Sequence, residues 1–163
     1  MKQTIFILAI IVLVGAALWY AKGVSLKSQE QSAAVAASVL ETNESSYDFG
    51  EISMANGVVS REFKIKNPSE NPVKIESIYT SCMCTNATLI LNSRKYGPYG
   101  MPGHGFVPKV RQTLAAGEES MLLVEFDPAA HGPAGVGPIM RIVTIESSDG
   151  ARIDLEISAL VKP

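Results

Sequence analysis

Cysteine, histidine and charge are all scarce in this chain, and each scarcity narrows what it can do. There are two cysteines, Cys82 and Cys84, with one residue between them, so the Cys-x-x-Cys spacing of thioredoxin-like sites is missing. No nucleophile elbow, HExxH helix, Walker loop or paired-carboxylate arrangement can be read, and no enzyme is expected. Only two histidines, His104 and His131, are available as imidazole ligands. Fourteen Lys and Arg stand against sixteen Asp and Glu, a net charge of -2, with no basic block able to track a phosphate backbone. Nucleic acid is therefore not an expected partner. The length of 163 residues fits one ordinary domain and an appendage.

The appendage is at the start. Gln3 to Ala21, "QTIFILAIIVLVGAALWYA", is free of charge up to Lys22. As a helix it spans about 28 Å, close to the ~30 Å hydrocarbon core of a bilayer. A cleaved signal peptide is the rival reading, since the run follows a short basic start. Bulky Trp19 and Tyr20 stand where cleavage wants small residues, and an aromatic pair beside Lys22 suits a membrane interface. Residues 1–22 are read as an uncleaved signal anchor, an N-terminal transmembrane helix that leaves the rest on the extracytoplasmic side of the cell membrane. Residues 23–46, polar, Ser- and Ala-rich and without an aromatic, read as a tether.

From Tyr47 the texture changes to short apolar segments separated by turns. "GVVSREFKIKN" alternates with period two, placing Val59, Phe63 and Ile65 on one face. "VKIESIYTSCMC" begins in phase at Val73 and Ile75 and then shifts parity to Ile78, which predicts a bulge near Glu76 and Ser77. "MLLVEFDP" alternates through Leu122, Val124 and Phe126. "IMRIVTIESSDGARIDLEISALV" predicts a hairpin with Asp149-Gly150 at its tip and Ile153, Leu155, Ile157, Ala159 and Val161 facing inward. Six or seven strands without a convincing helix predict an all-β domain over 47–163, two antiparallel sheets packed as a sandwich.

The order of these segments is also familiar. "YDFGEI", "EFKIKNPSENPVKIESIYTSCMCT", "LAAGEESMLLVEFDP" and the closing hairpin together resemble the exported bacterial family known as domain of unknown function 1573, over roughly residues 47 to 162. Asp48-Phe49-Gly50 and Ser81-Cys82-x-Cys84-Thr85 carry the resemblance most specifically. It implies an immunoglobulin-like sandwich, exported and membrane- or lipid-anchored, and brings no known activity. Met83 stands where the family usually has Gly, and residues 91–113 read as an insertion.

Four chemistries compete at "SCMCT". On an extended strand Cys82 and Cys84 share a face, in register with Ile78 and Thr80, and would be plain core packing. Their Cα atoms would then lie roughly 6.5 Å apart, poorly placed for a disulfide unless the chain bends. Export favours an oxidised or redox-responsive pair. A metal site is the remaining reading. His104 and His131 each fall in a Gly/Pro loop, "YGMPGHGF" and "AAHGPAGVGP", and if both loops fold over the end of the third strand, Cys82, Cys84, Met101, His104 and His131 converge on copper or zinc. Against this, each histidine alone is an ordinary loop residue bonded to nearby backbone. Tyr96, Tyr99 and Phe106 decorate the insertion as a candidate binding loop, for which capping an open end of the sandwich is the structural alternative. Two functions are expected from these readings: a membrane-anchored extracytoplasmic module that binds or scaffolds another envelope protein, or a copper-, zinc- or thiol-handling protein on the same sandwich.

Overall fold

The computed structural model describes residues 40–163. The expected anchor, residues 1–22, and most of the expected tether lie outside the described residues. Among the described residues no helix is long and apolar enough to cross a membrane.

Among the described residues, ten strands form two five-stranded sheets. They are β1 (Glu41–Thr42), β2 (Ser46–Ser53), β3 (Val59–Lys66), β4 (Val73–Thr80), β5 (Thr85–Leu91), β6 (Arg94–Tyr99), β7 (Gln112–Leu114), β8 (Glu119–Phe126), β9 (Gly137–Ser147) and β10 (Arg152–Lys162). One sheet has the order β1-β3-β8-β5-β6 and the other β2-β10-β9-β4-β7. The all-β sandwich expected from the alternation is the observed architecture. Its core is the set of inward parities: Phe63 and Ile65 of β3, Leu122, Val124 and Phe126 of β8, and Leu155, Ile157 and Val161 of β10 are all buried. The predicted parity shift is a bulge in the β4–β9 ladder between Ile75 and Ser77. Asp149-Gly150 turns the β9–β10 hairpin.

Three features differ from the expectation. First, the pairing is not wholly antiparallel, because β2 runs parallel to β10, Ser46 opposite Glu156 and Ser53 opposite Lys162. Alternation specifies which side chains face inward but is blind to strand direction. Here β2 leaves through a short 3-10 turn, Met54–Asn56, and crosses to the other sheet as β3, so no hairpin forces it antiparallel. Second, the sandwich begins before Tyr47. Leu40 is buried, and β1 pairs Glu41 with Lys66 and Thr42 with Ile65 inside the segment read as tether. Third, most of residues 91–113 is not a free loop. β6 forms a hairpin with β5 through Asn92-Ser93, both at positive φ (51° and 64°), a two-residue turn of the mirror-image type that matches strand twist. The chain is then pinned by Thr80 N–H donating to Gly100 O (3.2 Å) and Val110 N–H donating to Glu76 O (3.1 Å), and β7 pairs with β4 at Val73–Ile75.

Asp48-Phe49-Gly50 has a local mechanical meaning. The β2–β10 register slips between Ser158 and Leu160, which pair with Asp48 and Glu51, so Phe49 and Gly50 together face one residue, Ala159. Gly50 takes φ +68°, and the Asp48 carboxylate accepts its N–H at 2.9 Å. Phe49 packs onto the core and meets Tyr47 edge-to-face at 5.0 Å. Open space surrounds a Cβ at Gly50, so backbone conformation alone penalises substitution there. Gly50→Ala is expected to destabilise the domain by about 1 kcal/mol. Thermal unfolding should read this as a midpoint lowered by about 4 °C.

Candidate functional site

Cys82 and Cys84 do not lie on an extended strand. β4 ends at Thr80, β5 begins at Thr85, and the cysteines occupy the turn that carries the chain from one sheet to the other. The turn is fixed residue by residue. Ser81 N–H donates to Ile142 O and the Ser81 hydroxyl accepts from Ile142 N–H, each at 2.9 Å, which pins the entry to β9. The Thr80 hydroxyl sits 2.9 Å from Cys82 O and 3.0 Å from Thr85 O. Thr85 N–H closes the turn onto Cys82 O at 3.2 Å, and Asp127 N–H donates to Cys84 O at 2.9 Å. Met83 is half-exposed and is not among the residues at positive φ, so this turn does not require glycine there.

The same topology brings His131. β8 lies beside β5, and β9 lies beside β4. The β8–β9 connection therefore crosses between the sheets at the same end as the β4–β5 turn and next to it. Asp127 shapes that connection, its carboxylate accepting from Ala129 N–H (2.9 Å), and His131 stands just before a 3-10 turn, Gly132–Gly135. Gly135 backs the histidine: a Cβ there would lie 3.3 Å from His131 Cβ.

The result is a cluster of three donors. Cys82 Sγ is 3.2 Å from His131 Nε2, and the Cys82, Cys84 and His131 ligand atoms all lie within 4.8 Å of one another. Cys84 is buried, Cys82 half-buried and His131 exposed, so the site opens to solvent on the imidazole side. An ion equidistant from a triangle of that maximum size sits about 2.8 Å from each donor, and small side-chain rotations reach the ~2.0 to 2.3 Å of real metal bonds. The two thiols are free, as chemistry at either sulfur requires.

A fourth group was missed by the sequence reading. Arg141 Nε–H donates to Cys84 Sγ at 3.3 Å, and its Nη1–H donates to Met140 O at 2.8 Å. The signal was present in "IMRIVTI": Arg141 shares parity with Val143 and Ile145 and pairs with buried Ile157, so it puts a cation on the inner face of β9. The electrostatics are asymmetric as a consequence. Partial burial works to raise the Cys82 thiol, but hydrogen bonds from the Cys84 side chain and amide, the His131 ring and the Arg141 charge outweigh it, and its pKa falls to about 7. Burial raises the Cys84 thiol, and neighbouring Cys82 adds to the rise against the Arg141 hydrogen bond.

The other expected histidine is elsewhere. His104 is exposed, its N–H donating to Met101 O at 3.3 Å, and it does not belong to the Cys82–Cys84–His131 cluster. The segment that holds it departs from Thr80 and runs back along the edge of β4. The aromatic triplet is also divided: Tyr99 is buried in the core, Tyr96 packs partly against it, and only Phe106 is exposed, at 91%. A bulge at Gly97-Pro98, where the β5–β6 register shifts between Ala87 and Leu89, is what turns Tyr99 inward alongside Tyr96.

Comparison with known proteins agrees with the fold. No curated protein matches the chain. A protein of unknown function from Porphyromonas gingivalis W83 is similar over 78% of this chain and 50% of its own length, at 17% identity and a TM-score of 0.56. The chain thus spans half of that protein. A family 123 glycoside hydrolase from Clostridium perfringens is similar over 73% of this chain and 23% of its own, at 5% identity and a TM-score of 0.50. The ASH/PapD-like domain 7 of human CEP192 covers 77% and 86%, at 11% identity and a TM-score of 0.49. At such identities the first two likenesses show the fold alone. Residues 40–98, from buried Leu40 through the cysteine turn to Pro98, match the model of the family described as a protein of unknown function, DUF1573, which is the family that Asp48-Phe49-Gly50 and the Ser81–Thr85 turn resemble.

Proposed function

We propose that this chain is an extracytoplasmic envelope module, held at the cell membrane by residues 1–22, that acts by binding a soft metal ion, copper or zinc, at Cys82, Cys84 and His131. The observation that carries this reading is the convergence of two thiols and an imidazole within 4.8 Å from two separate inter-sheet connections. Thiolate and imidazole donors together select copper and zinc over the hard cations. The exposure of His131 and of Met83 leaves one side of the site open to the ligands of another protein. Another envelope protein that delivers or receives the ion is accordingly the partner, which joins the binding-module role to the metal role. Anaerobic titration of the reduced protein with Cu(I), and separately with Zn(II), tests the reading. One equivalent retained against a competing chelator supports it; no retained metal of either kind sinks it.

The asymmetry of the two thiols favours a second reading, a dithiol pair in which Cys82 is the attacking sulfur and Cys84 the buried partner. A depressed pKa means that Cys82 is half thiolate near pH 7, where an ordinary thiol is almost wholly protonated. In the reduced, metal-free protein, iodoacetamide should modify Cys82 at a rate that rises through pH about 7 and then levels off, with Cys84 unmodified over the same range. Peptide mass spectrometry after timed quenching reads both sites. Equal rates at the two cysteines would remove this reading.

A further inference from the structure

We infer that Arg141 makes the Cys82–Cys84–His131 site selective for a monovalent soft cation, Cu(I), over the divalent Zn(II). This rests on the metal-binding reading above and adds the identity of the ion. The argument begins with charge. Two thiolates and a neutral imidazole carry -2 in total. A Zn(II) ion brings that set to zero, and the adjacent guanidinium then leaves a surplus positive charge. A Cu(I) ion leaves the set at -1, which Arg141 neutralises. The distinction matters because Cys84 is buried and Arg141 is itself turned to the inner face of β9, its Nε only 3.3 Å from the Cys84 sulfur, where water screens poorly. Arg141 is held there by its second bond to Met140 O and by the β9–β10 ladder.

Coordination number points the same way. The cluster brings together three cysteine and histidine donors among the described residues. Cu(I) is satisfied by two or three soft donors, whereas zinc held structurally takes four. The group beside Cys84 is the Arg141 guanidinium, which has only N–H donors and no lone pair for a metal.

The test compares Cu(I) and Zn(II) affinities of the full chain by competition with a chelator for each metal, under anaerobic conditions, in wild type, Arg141→Gln and Arg141→Lys. Removing the charge in Arg141→Gln should raise the Zn(II)-to-Cu(I) affinity ratio about tenfold or more, since a dication feels twice the repulsion of a monocation. Arg141→Lys, which keeps the charge, should hold the wild-type ratio. Should Arg141→Gln fail to fold, Arg141→Met keeps the packing of the stem without the charge and is read in the same way. An unchanged ratio in the uncharged variant, or a lysine variant that behaves like it, overturns the inference while leaving metal binding intact. Wild-type protein that retains neither metal overturns the metal-binding reading itself.

Discussion

Cys84→Ser and Cys82→Ser should each lower the affinity for Cu(I) about a hundred-fold or more, and His131→Ala about tenfold to a few tens of fold, while His104→Ala leaves it unchanged. The magnitudes follow from dividing the binding free energy of a four-ligand thiolate and imidazole site, about 10 to 16 kcal/mol, among its donors, which gives about 3 kcal/mol per ligand. The histidine is placed lower because it is exposed, so water can take its position without leaving a buried donor empty. Cys84 is the opposite case, since a buried hydroxyl in its place offers the ion no thiolate and water cannot readily enter to replace it. Retention of one metal equivalent is measured on each variant after anaerobic gel filtration. Loss of binding on His104→Ala with retention on His131→Ala would reverse the assignment of the site.

The second large effect is on stability. Asn67→Ala should destabilise the domain by about 3 kcal/mol and lower its unfolding midpoint by about 10 °C. Asn67 is completely buried. Its Nδ2 reaches Asn71 O at 2.8 Å, Leu114 O at 3.1 Å and Ala115 O at 2.9 Å, and its Oδ1 accepts from the N–H and hydroxyl of Ser69 at 3.1 and 2.7 Å. One amide therefore ties the β3–β4 turn to the β7–β8 turn, and Asn67 N–H adds a bond to Glu118 O at 3.0 Å. Alanine removes the donor to these three carbonyls, the one on buried Leu114 included, and the acceptor of Ser69 N–H, while the Ser69 hydroxyl keeps Asn71 O at 2.8 Å. Asn67→Asp should be no better than alanine, because a carboxylate has no donor for the three carbonyls and faces them with negative charge. A midpoint for Asn67→Ala within about 2 °C of wild type would show that water takes over the role of the amide.

Much of the sandwich was legible along the chain. Period-two alternation named the inward residues of β3, β8 and β10, since a strand whose one face is buried writes that face into its sequence. The bulge in β4 was legible for the same reason, as a slip in parity between Ile75 and Ile78. Strand β6 was not: a bulge at Gly97 and Pro98 breaks its alternation, and its identity rests on the Asn92-Ser93 turn, whose positive φ values no glycine announces. Strand direction was equally hidden, which is why parallel β2 was read as antiparallel.

The candidate site divides along the same line. By itself the sequence determined that there are two thiols one residue apart, two imidazoles in Gly/Pro loops, and an arginine on an inward parity. Which of them meet was decided only by tertiary structure. β5 beside β8 and β4 beside β9 lay two inter-sheet connections next to each other, so His131, 49 positions from Cys82 along the chain, comes within 3.2 Å of it. His104, at less than half that separation in sequence, is carried off along the edge of β4 by hydrogen bonds at Gly100 and Val110. Local pattern reports which side of a strand a residue takes, because that is fixed by the pleat. The meeting of distant turns depends on strand order, which is settled by long-range pairing that no local window contains.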